Sequence, residues 1–176
     1  MEPEQAVTVR RRQRADIPEL AQVLVRVHAR DGYPVEGVED PQAWIVPPGE
    51  LAGWTALVGH NPIGHISLTE ATSSDDAARL WVSETGSPYV NVAIPVRLFV
   101  DPPHRTRGAG RQLMLAAYEH AIGLGKRMVF DVMLKDEQAI RLYEALDCQR
   151  LGTITHHHSG GLEESAAVYV APDSLP

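Results

Sequence analysis

One stretch constrains this chain more than any other. From Asn91 to Val100 the residues are strongly apolar and read as a strand, which Asp101-Pro102-Pro103 ends. Arg105-Thr106-Arg107-Gly108-Ala109-Gly110 follows as a turn, and a long helix runs from Gly110 to about Leu124, where Gly125 is placed to stop it. The first N–H groups of such a helix have no internal acceptor, and the dipole adds about half a positive charge there. Glycine in the turn lets a phosphate reach the backbone. Arg105, Arg107 and Arg111 add charge around the same opening. On physical grounds this is a pyrophosphate cradle.

Two familiar cradles fail. A Walker loop ends in Gly-Lys-Ser/Thr, but Gly110 is followed by Arg111-Gln112. A Rossmann fingerprint needs a small residue three positions after its second glycine, where Leu113 stands, and its strand opens the fold rather than coming late.

The surrounding elements mix α and β, as expected for a single domain over residues 1–176. Val7 to Arg12 reads as an edge-like strand, with the basic run Arg10 to Arg14 as a solvated strand end. Asp16 and Glu19 have capping-box spacing for a helix with Ile17, Leu20, Leu24 and Val27 on one face, fading at Asp31-Gly32-Tyr33-Pro34. Residues 35–50 read as a loop with a short helix at Pro41 to Trp44. Gly53 to Val58 and Pro62 to Thr69 pair as strands across Gly59-His60-Asn61. Residues 71–88 read as an insertion with a short helix near Asp75 to Trp81. Pro95 requires an edge or a bulge, since it cannot donate to a ladder. Arg127 to Leu134 is a strand, and Asp136 caps a helix carrying Ala139, Leu142, Tyr143 and Leu146 on one face. Gln149 to His156 and Ser165 to Val170 close the chain as two strands joined through Ser159-Gly160-Gly161. The late strand–helix–strand–helix–strand order implies local parallel pairing, with antiparallel hairpins elsewhere.

Composition narrows the function classes. Hydrophobic residues at 44% and charged residues at 22% fit a packed globular chain and argue against general disorder. No run approaches the roughly 18 apolar residues of a membrane span, and Met1-Glu2-Pro3-Glu4-Gln5 carries two acids and no apolar core. No membrane association is expected. Cys148 is the single cysteine, so neither an internal disulfide nor a thiolate zinc site is expected, and a reducing cytoplasm is the natural compartment. Cys148 reads as a packing residue. A net charge of −7 argues against a nucleic-acid partner. Between Arg97 and Arg111, however, four arginines face one aspartate, a basic island suited to an anionic small ligand.

Arg105-x-x-Gly108-x-Gly110, after a strand ending Val100-Asp101-Pro102, closely resembles the acetyl-CoA signature of the GNAT family of N-acetyltransferases. A second stretch, Asp136-Glu137-Gln138-Ala139-Ile140-Arg141-Leu142-Tyr143-Glu144-Ala145-Leu146, resembles that family's Asn-x-x-Ala-x-x-Leu-Tyr-Glu helix. Asp136 replaces the usual Asn, and Asp147-Cys148 replaces the common Gly-Phe. The motifs cover about Leu98 to Cys148, and the first half of the chain matches in layout alone. The resemblance implies an α/β (α+β) fold: a mixed, mostly antiparallel sheet of six or seven strands flanked by helices, with splayed central parallel strands. It implies direct acetyl transfer from acetyl-CoA to a primary amine, without a metal. The backbone of Leu98, Phe99 and Val100 would bind the pantetheine arm like an added strand, and its N–H groups would polarise the thioester carbonyl. Arg105 and the amides of Thr106, Arg107, Gly108, Ala109, Gly110 and Arg111 would hold the pyrophosphate, with Asp136 bordering the donor. Tyr143 would protonate the leaving thiolate.

The acceptor side is less legible. Relatives often place an acid on the strand before Leu98, yet Ile94, Pro95, Val96 and Arg97 include none. Glu70 and Glu84 are the substitute bases the sequence offers first, with Asp31, His65 and Tyr33 behind them. His156-His157-His158 cannot all face one ion from a regular strand, and these read as polar strand residues near the acceptor pocket. An acceptor amine of low pKa is expected, on a small and cationic molecule. A peptide amine as acceptor, a longer acyl-CoA as donor, a non-catalytic acyl-CoA-binding regulatory domain and a homodimer stay open.

Overall fold

A buried carboxylate at Asp16 pins the start of the fold. In this computed structural model, which describes residues 5–157 and 160–174, β1 (Val7–Arg11) runs into a 3-10 turn at Arg14–Asp16 and then α1 (Ile17–Asp31). The Asp16 side chain does not cap α1, contrary to the capping-box expectation. It turns inward and accepts from Arg10 Nη1 (2.7 Å) and Nη2 (2.8 Å), Gln13 N (2.8 Å) and Thr55 Oγ1 (2.9 Å). Loss of hydration opposes its charge most strongly, but the Arg10 fork, the Gln13 amide and the Thr55 hydroxyl outweigh it and hold the carboxyl below its ordinary value.

The chain divides into two units, each assembled from separate stretches. The first holds the residues up to Thr69 together with Pro95–Ala117. Here α1 lays Leu20, Val23, Leu24 and Val27 against Ile45 and Phe99. A short helix, α2 (Pro41–Ile45), is capped by Asp40, whose carboxylate accepts from Ala43 N at 3.1 Å. β2 (Glu50–Val58) pairs antiparallel with β1 and with β3 (Asn61–Glu70). Both strands begin earlier or end later than the alternation suggests, because the pairs Glu50 with Thr69 and Ala52 with Leu68 extend the ladder.

The second unit holds Glu70–Ile94 and the residues from Tyr118 onward. It contains α3 (Asp76–Thr85), β5 (Arg127–Met133), α5 (Glu137–Ala145), β6 (Gln149–His157) and β7 (Glu163–Val170). β7 pairs antiparallel with both β5 and β6. Three elements continue through both units: β3, by its last residue Glu70, β4 (Val92–Val100) and α4 (Ala109–Gly123). The hydrogen-bonded strand order is β1-β2-β3-β4-β5-β7-β6, a seven-strand mixed sheet of the expected class. β4 pairs parallel with β5 at Val92 with Arg127 and Ala93 with Met128. Pro95 lies beyond those pairs, where its missing donor breaks neither.

Asp16→Ala is expected to destabilise the protein by about 3 kcal/mol, since it strands the Arg10 head and the Thr55 hydroxyl. For a chain of this size that lowers Tm by about 6–12 °C. A carboxyl held low stabilises above the unfolded pKa near 4 and loses that contribution as pH falls through the folded value. In thermal melts between pH 3 and 7, the gap between wild type and variant is therefore expected to close below about pH 4. A gap that stays constant to pH 3 contradicts the assignment.

Candidate active site

The cradle lies within the first unit. At the end of β4, Asp101 is buried, its N–H bonds to the Ile63 carbonyl at 2.7 Å, and its carboxylate takes Arg26 Nε (3.0 Å) and Nη2 (2.9 Å). A 3-10 turn over Pro102–Arg107 leads to Gly108 at φ +78°, and α4 begins at Ala109. Gln112 N closes the first helical bond to the Gly108 carbonyl at 3.1 Å. The N–H groups of Ala109, Gly110 and Arg111 therefore have no acceptor within the helix. A Cβ at Gly108 would meet nothing within 4 Å, so the left-handed backbone, not crowding, requires glycine, and the space above it is open. These features fit a diphosphate on the helix N-terminus.

The arginines are not equivalent. Arg105 Nε donates to the Val100 carbonyl at 3.1 Å, and its Nη2 pairs with Asp31, so Arg105 braces the turn. Arg107 is half-buried, and Thr106 and Arg111 are exposed. Leu98 and Val100 are half-buried on β4, while the Phe99 ring is buried against the α1 core.

Four sequence-derived residues lie in the second unit. Asp136 is exposed and caps α5, accepting from Ala139 N at 3.1 Å. Tyr143 is buried on that helix, its ring edge-on to Phe130 at 4.5 Å and 6.1 Å from Tyr169. Glu84 is exposed on α3, and Glu70 is exposed at the end of β3.

Sequence reasoning missed a buried polar network in the first unit. Arg12, read as part of a solvated strand end, has only 10% of its side chain exposed. Its head occupies the space above Gly53, where a Cβ would come within 2.3 Å of Nη1. Arg12 Nη2 donates to Glu50 Oε1 at 2.6 Å, and Nη1 lies 2.9 Å from His65 Nε2 and 3.3 Å from Ser67 Oγ. Ser67 Oγ also donates to Glu50 Oε2 at 3.2 Å. On the far side of the ring, His65 Nδ1 lies 3.0 Å from the Arg97 carbonyl. Only one tautomer satisfies both ends: Nδ1–H donates to the carbonyl and Nε2 accepts from Arg12. Burial drives the His65 pKa down to about 3, and the arginines Arg12 and Arg97 add to the effect. A neutral ring with both nitrogens committed cannot take a proton from an amine, which removes His65 as the base.

The carbonyl that His65 holds belongs to a strained residue. Arg97 has φ +58°, left-handed for a non-glycine residue inside a strand, at a cost of about 1–3 kcal/mol. Its guanidinium sits 4.6 Å over the Trp44 ring, Tyr33 meets that ring edge-on at 5.7 Å, and Trp44 Nε1 donates to Glu36 at 2.6 Å. Burial raises the Tyr33 phenol, and the Glu36 charge adds to it, so Tyr33 is a poor base. Asp31 is taken by Arg105. The usable sequence signal for this cluster was the apolar surroundings of Trp44, Arg97 and Glu50; nothing in local spacing joins residues so far apart.

The remaining sequence candidates have structural partners. His156 Nε2 lies 2.7 Å from Asp131 and Nδ1 3.3 Å from Asp76, and His157 lies 3.3 Å from Glu163. His158 is outside the described residues. Among the described residues no group of three or more His, Cys, Asp or Glu could hold a metal. Burial raises the Cys148 thiol to about 11, consistent with packing. No described helix is long and apolar enough to cross a membrane.

The model of the acetyltransferase (GNAT) family matches residues 18–147. By sequence, no protein of curated function matches the chain. Its fold is similar to that of several solved acetyltransferases. For yncA of Salmonella typhimurium, a candidate acetyltransferase solved with its cofactor acetyl-CoA, the TM-score is 0.71 at 16% identity, covering 96% of this chain and 95% of the other. For the ribosomal-protein-S18-alanine N-acetyltransferase of Escherichia coli, the TM-score is 0.68 at 17% identity, covering 97% and 96%. For a candidate phosphinothricin N-acetyltransferase, it is 0.68 at 16% identity, covering 96% and 99%. The segment that the family model spans contains both the Gly108 cradle and the Tyr143 helix, and the chain belongs to the GNAT family of acetyltransferases.

Proposed function

We propose that this acetyl-CoA-dependent N-acetyltransferase acts on the primary amine of a small molecule. The observation that carries the reading is the acceptor side of the first unit, where every candidate base is either spent or ill-suited. The fold similarities span acceptors of both kinds, a ribosomal-protein alanine and phosphinothricin, so the choice rests on this chain's own residues. At pH 7, neutralising a lysine-like amine costs about 4.6 kcal/mol, against about 1.4 for an α-amine near pKa 8. A site without a strong base favours the second kind.

In the reaction, the amine nitrogen forms a bond to the acetyl carbon, the carbon–sulfur bond breaks, the amine loses a proton and the thiolate gains one. Leu98 and Val100 present backbone N–H groups toward the donor's arm and thioester oxygen, and Ala109, Gly110 and Arg111 present theirs to the diphosphate. Arg105 fixes the turn that aims them. Tyr143 gives its phenolic proton to the departing thiolate, with Phe130 and Tyr169 fixing its ring. Water or an exposed carboxylate, Glu70 or Glu84, carries the amine proton away. We place the enzyme in the cytoplasm, where the lone Cys148 stays reduced.

Gly108→Asp is expected to weaken acetyl-CoA binding at least tenfold, about 1.4 kcal/mol, because it sets a negative charge in the cradle. Calorimetry on the folded variant checks this, and unchanged affinity would remove the cradle. Tyr143→Phe keeps the ring packing and is expected to leave acetyl-CoA affinity intact while lowering kcat roughly tenfold or more. Full turnover would reduce Tyr143 to a packing residue. Across acceptors of the same net charge but graded amine pKa at fixed pH, kcat/KM is expected to favour the less basic amines. A protein lysine emerging as the fastest acceptor would overturn the small-molecule reading.

A further inference from the structure

We propose that Arg97 recognises the acceptor: its guanidinium, laid across Trp44, binds an oxyanion carried by the same small molecule whose amine is acetylated. The acceptor is then zwitterionic, a primary amine bearing a carboxylate or a phospho-oxyanion. This rests on the reading of the protein as a small-amine acetyltransferase and replaces the expectation of a purely cationic acceptor.

Burial and charge pairing together mark Arg97 out in the first unit: Arg11, Arg14 and Arg111 are exposed, whereas Arg97 is half-buried. Arg10 is paired with Asp16, Arg12 with Glu50, Arg26 with Asp101 and Arg105 with Asp31. Among the described residues, no carboxylate stands within ion-pair distance of Arg97 and none accepts a hydrogen bond from its guanidinium. Glu36 and Glu50 are near enough to be felt, but Glu36 receives the Trp44 indole N–H, and Glu50 is bound by Arg12 and Ser67. Burial lowers the guanidinium from its usual value, and the nearby Tyr33, Glu36 and Glu50 offset that only in part. It remains charged, and its fork matches a carboxylate or phosphate bidentately.

The backbone gives the same indication. The left-handed conformation takes the Arg97 side chain out of the regular strand alternation, and the His65–Arg12 network holds it there. Strain that the surroundings maintain marks a functional position. Arg97 directly precedes Leu98, so an anion held by it places an attached amine near the proposed thioester site. A fixed cation next to an ammonium also disfavours the charged form and lowers the acceptor's pKa. Arg97 thereby supplies, by electrostatics, part of what a carboxylate base would supply by accepting a proton.

The test compares kcat/KM at saturating acetyl-CoA for matched acceptors: α-amino acids, their carboxamides, their decarboxylated amines and aminoalkylphosphonates. The anion-bearing members are expected to be at least tenfold better with wild type. Arg97→Gln is expected to erase at least tenfold of that preference, and Arg97→Lys to restore part of it. Acetyl-CoA affinity of Arg97→Gln, by calorimetry, reports whether the first unit is intact. Carboxamides equal to or better than amino acids with wild type overturn the inference without any variant, and so does a preference that survives in folded Arg97→Gln. Amine acetylation with no anion preference sinks the Arg97 site alone. Acetyl-CoA binding with no amine acetylated sinks the small-amine reading and this site with it.

Discussion

The hydrogen bond from His65 Nδ1 to the Arg97 carbonyl joins the buried polar network to strand β4. On one side of the ring stands Arg12, seated over Gly53 and neutralised by Glu50. On the other stands a residue whose backbone is left-handed against its own preference. The imidazole links them only while neutral, with one nitrogen donating and the other accepting, and its buried surroundings keep it so far below physiological pH. An imidazolium here would put a third charge beside two arginines and leave Arg12 facing a donor. The ring thus acts as a rigid spacer of defined polarity, and stacking on Phe99 at 5.4 Å fixes its plane.

That arrangement ties the two halves of the chemistry to one strand. On the proposed mechanism Leu98 and Val100 serve the donor and Arg97 the acceptor, and a single peptide unit joins Arg97 to Leu98. The turn that follows is just as firmly held: Asp101 is clamped by Arg26 from α1, and Arg105 reaches back to Val100 and Asp31. Guanidinium–carboxylate pairs from α1 therefore hold the exit of β4, while the Arg12–His65 pair holds its middle. The cradle at Gly108 inherits its aim from both.

Sequence reading was strongest where structure is local. Strand, turn and helix from Asn91 to Leu124 are contiguous, so their order could be seen in one window, and so could the helix that Asp136 caps. The helical face of Ile17, Leu20, Leu24 and Val27 was equally plain. What escaped were contacts between distant positions. Arg12 and Glu50 are 38 residues apart and Arg12 and His65 are 53 apart, and no periodicity links them. A run of five residues with four arginines reads as solvated because charge clusters usually are, yet successive residues of an extended chain face opposite ways, and Arg12, just past the end of β1, faces inward. Asp16 misled for a related reason: its spacing to Glu19 suits a cap, but the buried Thr55 and the Arg10 fork offered it more.

The division of the chain into discontinuous units has a consequence for its birth on the ribosome. The backbone crosses from one unit to the other after Thr69, after Ile94 and after Ala117. The first unit lacks the second half of β4 and the start of α4 until Ala117 has emerged. The second cannot close its ladder before β7, the partner of both β5 and β6, has been made out to Val170. Residues 70–94 are thus synthesised early and must wait for partners well over thirty residues downstream. Pairing at that sequence separation is slow and leaves apolar surface exposed meanwhile. Nascent chains halted between Ala117 and Val170 would hold every residue of the first unit and only part of the second, and that is the interval of greatest apolar exposure.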